Sequence, residues 1–136
     1  MDEATKALLK EAVGITDEDL AKVQRNIEKI FSNVGWGMQY KIVAEVISSR
    51  YCFAGVKVGD KFVFNPFLDP KQTTCPLCPR ALLPVLIALH PVWERGVEGV
   101  DLNDSAFGGI AGCLDPGLEA GGLGHVNFKL YAEEIR

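Results

Sequence analysis

The chain has 136 residues, of which 48% are hydrophobic and 24% are charged. This length predicts one compact domain with an appendage, and the composition excludes a mostly disordered or a fibrous protein. The formal charge of -4 supplies no field that would attract phosphate backbones or anionic lipids, so we expect neither nucleic acid nor a membrane as a partner.

The first third of the chain is predicted to be helical. Apolar residues lie near one face of a first helix, Glu3–Val13, which ends at Gly14. Thr16 is a good N-cap for a second helix, because acidic residues fill the first turn and Gly35 can end it. The second helix carries an apolar stripe made of Leu20, Val23, Ile27, Ile30 and Phe31.

This apolar stripe must be buried, and two surfaces are open to it. Either it packs on the sheet of its own domain, or it docks on another subunit. We therefore divide the chain into a helical arm, residues 1–37, and a β-rich domain, residues 38–136. The position of the arm ahead of a self-contained region favours a partner subunit.

Hydrophobicity alternates with a period of two from Met38 onward, which predicts a strand. Its apolar members are Tyr40, Ile42, Ala44 and Val46. Residues 56–64 predict further short β-runs around a Gly-Asp turn, and two prolines then end regular structure. The same alternation predicts a closing strand over residues 125–131.

A buried helix is predicted after Cys78. Residues 79–89 are mostly Ala, Leu, Val and Ile, and Pro79 suits a first helical turn. An internal proline removes an amide donor and clashes with the preceding turn, so Pro84 places the regular part at about residues 84–90.

Residues 91–124 are rich in Gly, Pro and Asp, which predicts long loops around one short β-run near residues 106–113. We expect the aspartates of turn-like segments to bond their own backbone. The predicted fold class is α+β, an N-terminal helical segment followed by a small β-rich domain that a four-cysteine metal site holds together.

No segment predicts export or membrane insertion. Residues 1–13 mix acidic residues with lysines, where a signal peptide needs an unbroken apolar core. The longest apolar stretch, residues 81–89, is roughly half of the ~20 residues that cross a bilayer. We therefore expect a cytoplasmic protein, whose cysteines bind a metal or carry thiol chemistry instead of forming structural disulfides.

The four cysteines are the strongest chemical signal in the chain. Cys75 and Cys78 form a C-x-x-C turn that lets two thiolates face one ion, and Cys52 and Cys113 add thiolates from separate loops. Four sulfurs complete the tetrahedral site that zinc prefers. Such a closed site has no position for water, so zinc would supply folding free energy and no Lewis-acid chemistry.

Other interpretations of these cysteines stay open. Cys52 and Cys113 are also typical of ordinary buried small residues. The same thiolates suit an iron–sulfur cluster, and His90 or His125 could replace one sulfur. The sequence C-P-L-C at a helix start resembles the active site of glutaredoxins, where the helix N-terminus favours the thiolate. In those folds a strand precedes the motif, whereas here the loop 65–74 precedes it.

Signatures of catalysis are absent from the sequence. It contains no nucleophile elbow, phosphate loop, dinucleotide fingerprint or H-E-x-x-H motif. The glycines of residues 108–124 lack the strand-to-helix turn and the lysine of a phosphate site, so they predict tight loops. We expect no catalytic and no cofactor-binding side chains.

Three motifs carry a resemblance to a protein group. They are C-F-A-G-V-K-V-G-D-K-F at 52–62, C-P-L-C at 75–78 and G-C-L-D-P-G at 112–117. Over residues 39–131 the chain resembles a group of small, uncharacterised bacterial and archaeal proteins with the same order of Cys, Gly-Asp-x-Phe, Cys-Pro and Cys. It differs from the group by the second Cys of C-P-L-C, an inserted residue in D-P-G and the helical arm.

The size, the arm and the four cysteines also resemble the small β subunits of ATP-dependent acetophenone carboxylases, biotin-independent ligases that carboxylate an aromatic ketone. This resemblance implies a zinc-bearing structural subunit, while larger subunits carry the ATP and substrate chemistry. We therefore predict a non-catalytic zinc-binding subunit that holds larger subunits through its N-terminal helices. The alternatives are an iron–sulfur protein and a thiol–disulfide redox protein that uses Cys75 and Cys78.

Overall fold

The computed structural model describes residues 1–33, 35–105 and 109–135. Its helices are α1 (Glu3–Val13), α2 (Asp17–Leu20), α3 (Arg25–Ser32), α4 (Gly35–Gln39) and α5 (Pro79–Glu98). Its strands are β1 (Tyr40–Arg50), β2 (Lys61–Phe64), β3 (Ile110–Gly112) and β4 (His125–Glu134). The fold is α+β, with an N-terminal helical segment ahead of an antiparallel sheet, as the sequence predicts.

The strands form one four-stranded antiparallel sheet in the order β2-β1-β4-β3. β1 and β4 pair along their length, from Tyr40 opposite Glu134 to Arg50 opposite His125. Both long strands predicted from the alternation are confirmed. Of the β-runs predicted over residues 56–64, only β2 is a strand, because the first half of that segment forms the turn between β1 and β2.

One face of the sheet packs against α5, and this contact forms the core. The rings of Phe62 on β2 and Phe128 on β4 stack there with their centroids 5.7 Å apart. The period of two in β1 puts alternate residues on this face, and the period of 3.6 in α5 puts one stripe of the helix against them. The hydrophobic residues of β1 and α5 in this buried cluster are Ile42, Ala44, Val46, Ala81, Val85, Leu89 and Val92.

Helix α5 departs most from the sequence prediction. It begins at Pro79 and continues through two internal prolines to Glu98, so the expectation of a regular part at residues 84–90 followed by loop was wrong. Burial of one helical stripe on the sheet stabilises the helix beyond the cost of its prolines, since packing supplies most helical stability in proteins.

A tertiary hydrogen bond compensates the first of these prolines. Pro84 has no amide N–H, so the carbonyl of Arg80, four residues earlier, has no helical donor. The backbone N–H of Leu114, in the loop after β3, donates to this carbonyl at 3.0 Å. The proline therefore leaves an acceptor on the first turn of α5 that attaches a distant loop to the helix.

The arm also differs from its prediction. The single helix expected from Thr16 to Gly35 is divided into α2 and α3 by residues 21–24. The C-cap of α3 is Asn33, and Gly35 begins α4 instead of ending the preceding helix. Residues 21–24 contain no glycine or proline that would end a helix. Beyond them, α3 contacts α5.

The end of the arm packs on the C-terminal part of α5. The ammonium group of Lys29 lies 3.2 Å from the carboxylate of Glu98, and the side-chain amide of Asn33 donates to a backbone carbonyl of α5. A Cβ at Gly96 would collide with the ring of Trp36, so glycine is needed there. The predicted boundary at residues 37 and 38 falls inside α4 and stays a prediction.

Two further observations concern other predicted features. The β-run predicted near residues 106–113 corresponds to β3 at its end, and residues 106–108 lie outside the described part of the chain. Among the described helices, none has the length and apolar character needed to cross a membrane.

Candidate metal centre

The topology brings all four cysteines to one end of the sheet. β1 and β3 end there and β4 begins there, because neighbouring strands are antiparallel. Cys52 follows the end of β1, and Cys113 follows the end of β3. Cys75 donates its N–H at 3.1 Å to the carbonyl of Lys61, the first residue of β2, and Cys78 is the N-cap of α5.

Cys75 is the most deeply buried of the four, with 4% of its surface exposed. Burial foremost, and then the nearby charges of Asp60, Cys52 and Cys78, raise the pKa of its thiol to about 12. Cys52 and Cys78 are therefore close enough to act on Cys75 electrostatically. Thiolates grouped in this way repel each other unless a cation neutralises them.

The other three cysteines border a single cavity of about 80 Å³. Cys52 reaches it from the loop between β1 and β2, Cys78 from the start of α5, and Cys113 from the loop after β3. All three are half-buried and pack against the core. The volume suits an ion and is far below the roughly 300–1,000 Å³ of small-molecule sites.

The sulfur of Cys113 is held by backbone groups. The N–H of Val126 donates to this sulfur at 3.3 Å, and the N–H of Cys113 donates back to the carbonyl of Val126 at 2.9 Å. The thiol of Cys113 also donates to the carbonyl oxygen of Asp115 at 3.4 Å. The hydrogen bond from Leu114 to Arg80 joins the same loop to the first turn of α5, beside Cys78.

Asp115 organises the loop between β3 and β4. Its carboxylate accepts three backbone hydrogen bonds, which come from Gly117, Leu123 and Gly124. These bonds, with that of Gly117 foremost, hold the pKa of the carboxyl below its usual value. The expectation that this aspartate bonds its own backbone is confirmed. A Cβ at Gly124 would collide with the carbonyl oxygen of Tyr51, so only glycine fits where the loop passes β1.

His125 lies beside the cysteines and connects them to Asn127. Its Nδ1 makes a short contact with the carbonyl oxygen of Asp115 and lies 3.7 Å from the sulfur of Cys113. Its Nε2 lies 3.1 Å from the side-chain oxygen of Asn127. Asn127 is not among the residues predicted from the sequence, although residues two apart on a strand share a face and this spacing could have indicated the pair.

Two other features lie away from the cysteines. His90 is twelve residues beyond Cys78, which is about 18 Å along a helix, so the structure does not bring it to the site. A wider cavity, of about 720 Å³, lies between the arm and the C-terminal part of α5. Its asparagines, Asn33 and Asn103, already hydrogen-bond backbone groups.

In this structure the four cysteine sulfurs do not form a coordination shell around one point. Within residues 1–33, 35–105 and 109–135, no three His, Cys, Asp or Glu side chains form a group that could hold a metal. The chemistry of the donors nevertheless fits zinc, because thiolates are its preferred ligands and three of them border one cavity. Zinc binding requires these side chains to close on that cavity.

No protein-family model, no curated protein and no solved structure matches this chain.

Proposed function

We propose that this chain is a zinc-binding structural subunit, without catalytic residues of its own, of a multi-subunit cytoplasmic enzyme. The observation that carries the proposal is the single cavity bordered by cysteines from three separate segments. Cys52, Cys78 and Cys113 would bind the ion together with Cys75. The zinc would then cross-link the loop after β1, the start of α5 and the loop after β3.

The zinc would supply folding free energy, since four thiolates leave no coordination position for water. Residues of the chain prepare the ligands for this role. The backbone of Val126 orients the sulfur of Cys113, and the burial of Cys75 excludes water from a second ligand. The small cavity supports a structural role, because an organic substrate does not fit beside the sulfurs.

The arm supports a role in assembly. Ile27 and Ile30 of α3 are 38% and 39% exposed, so packing on α5 leaves part of the apolar stripe uncovered. Such a stripe on an amphipathic helix is typical of a surface that docks on another protein. The resemblance to acetophenone carboxylase β subunits implies the same arrangement, with ATP and ketone chemistry on larger subunits.

Metal analysis of the purified chain tests the zinc proposal. We expect one zinc per chain by plasma mass spectrometry and no visible absorption of an iron–sulfur cluster. A strong chelator should lower the unfolding temperature, and added zinc should restore it. A chain that binds no zinc after refolding in the presence of zinc would overturn the proposal. Bound iron with visible absorption would show that the cysteines hold an iron–sulfur cluster instead of zinc.

A second candidate function, thiol–disulfide exchange, is favoured by one observation. The sulfur of Cys113 lies 3.7 Å from the imidazole of His125 and borders the same cavity as the thiol of Cys78. The Cys113 thiolate would attack a substrate disulfide and expel one thiolate, and Cys78 would then displace the second. The substrate gains two electrons, and the two cysteines become a disulfide.

This candidate differs from the redox hypothesis based on the sequence, because Cys75 is too deeply buried to attack a substrate. Alkylation with iodoacetamide, read by mass spectrometry, separates the two functions. If zinc is bound, all four cysteines should be protected until a chelator is added. If thiol exchange is the function, Cys113 should react quickly without a chelator.

Removal of α1 and α2 tests the arm. Leu9 of α1 is buried, but the buried cluster between the sheet and α5 begins at Ile42 and does not include Leu9, so deletion of residues 1–24 should leave the unfolding midpoint nearly unchanged. Thermal unfolding followed by circular dichroism measures this. A broad transition or a large drop in the midpoint would show instead that the arm belongs to the folding unit of the sheet.

A further inference from the structure

The outward face of α5 has a regular pattern of exposed residues. Arg80, Leu83, Ile87, His90 and Glu94 are exposed and follow one another at steps of three and four residues. Leu83 is 50% exposed and Ile87 is 66% exposed. Residues at these steps form one straight stripe on a helix, opposite the stripe that α5 buries on the sheet.

This stripe makes α5 apolar on two opposite sides. A helix that covers a sheet in an isolated domain normally presents charged and polar residues to water. Here, Leu86 also flanks the stripe and is 42% exposed, so three large aliphatic side chains lie together in water. The arm does not cover them, because its contacts lie at Val97 and Glu98, beyond the end of the stripe.

The two ends of the stripe carry opposite charges at equal distances from its centre. Arg80 lies seven residues before Ile87, and Glu94 lies seven residues after it. Neither charged side chain forms an ion pair with any described residue, although the charge of Arg80 lies close enough to Asp115 to help lower the pKa of that carboxyl. The stripe is therefore complementary to a copy of itself that runs in the opposite direction.

We propose that two copies of this chain form a dimer through the outward faces of α5, antiparallel about a two-fold axis near Ile87. Arg80 of each copy meets Glu94 of the other, and the aliphatic side chains pack between the two charge pairs. A two-fold contact uses the same patch on both copies, and this is the symmetry that the charges satisfy. A parallel pair would place like charges opposite each other.

The choice of a second copy follows from this self-complementarity. An unrelated partner would need only apolar contact and would not require the two charges to stand at equal distances from the centre. Arg80 borders the cysteine cavity but is not one of the four proposed ligands, so the dimer does not depend on zinc binding.

Sedimentation equilibrium of the full chain and its variants tests the dimer. We expect the wild-type protein to sediment at twice the mass of one chain and Ile87→Glu to sediment at half the wild-type value. Val58→Glu is the matched control, because Val58 is also 66% exposed but lies in the turn between β1 and β2. A monomeric wild type, or a dimer that Ile87→Glu leaves intact, would overturn the proposal.

Charge reversal tests the antiparallel pairing. Arg80→Glu and Glu94→Arg should each sediment as a monomer, because each places like charges opposite one another in its own dimer. An equimolar mixture of the two variants should form a heterodimer, in which every charge again faces its opposite. Native mass spectrometry detects this species by its mass. If each variant folds and the mixture still contains no heterodimer, the pairing is refuted.

Discussion

Cys78→Ser should lose the bound zinc and most of the cooperative unfolding transition. Cys78 is the N-cap of α5, and serine is a better N-cap than most residues, so the substitution does not weaken the start of the helix. The loss of one thiolate ligand is then the physical cause. A ligand present at 1,000 times its dissociation constant contributes about 4 kcal/mol to stability, a large part of the total for a domain of this size.

Zinc content and thermal unfolding, measured on the same sample, check this prediction. The matched control is Leu77→Ser, which makes a polar substitution one residue earlier at a side chain that is 61% exposed. The control should keep one zinc and its unfolding midpoint. If Cys78→Ser also keeps one zinc and an unchanged midpoint, the four-thiolate site is wrong.

Phe128→Ala should destabilise the fold by about 3–5 kcal/mol, the range for truncation of a buried phenylalanine. Phe128 is 0% exposed and stacks on Phe62 between the sheet and α5, so its removal leaves a cavity in the centre of the core. The loss does not depend on metal, because the ring contributes through packing alone.

Phe53→Ala is the control for this substitution, because Phe53 is 98% exposed and its truncation removes no packing. Its free energy of unfolding should stay within about 0.5 kcal/mol of the wild type. Urea denaturation of both variants and of the wild type provides the comparison. Equal effects at the two phenylalanines would mean that the sheet and α5 do not share the core described here.

The sheet could be predicted from the sequence because its signal is local. Alternation of apolar residues defines β1 and β4 and identifies the buried face through Ile42, Ala44 and Val46. The length of α5 could not be predicted in this way. Its continuation through Pro84 accompanies a hydrogen bond from Leu114, thirty residues further along the chain, and no local pattern reports such a partner.

The candidate site could likewise be predicted only as far as local sequence patterns reach. The sequence names the four cysteines, and the spacing of Cys75 and Cys78 indicates a shared turn. The sequence does not show which end of the sheet each cysteine occupies, since that depends on strand order. It also cannot show that Cys75 is buried while the other three border a cavity, because burial depends on how α5 covers the sheet.

Pro84 should be difficult to replace, even by a residue that favours the helix. Alanine has the highest helix propensity, so local rules would favour Pro84→Ala within α5. An alanine, however, would bring an amide hydrogen that competes with Leu114 for the carbonyl of Arg80. The loop that carries Cys113 would then lose an anchor while the helix gained one. At this position the requirements of secondary and tertiary structure are opposed, and a residue that disfavours the helix is the one that keeps the loop attached.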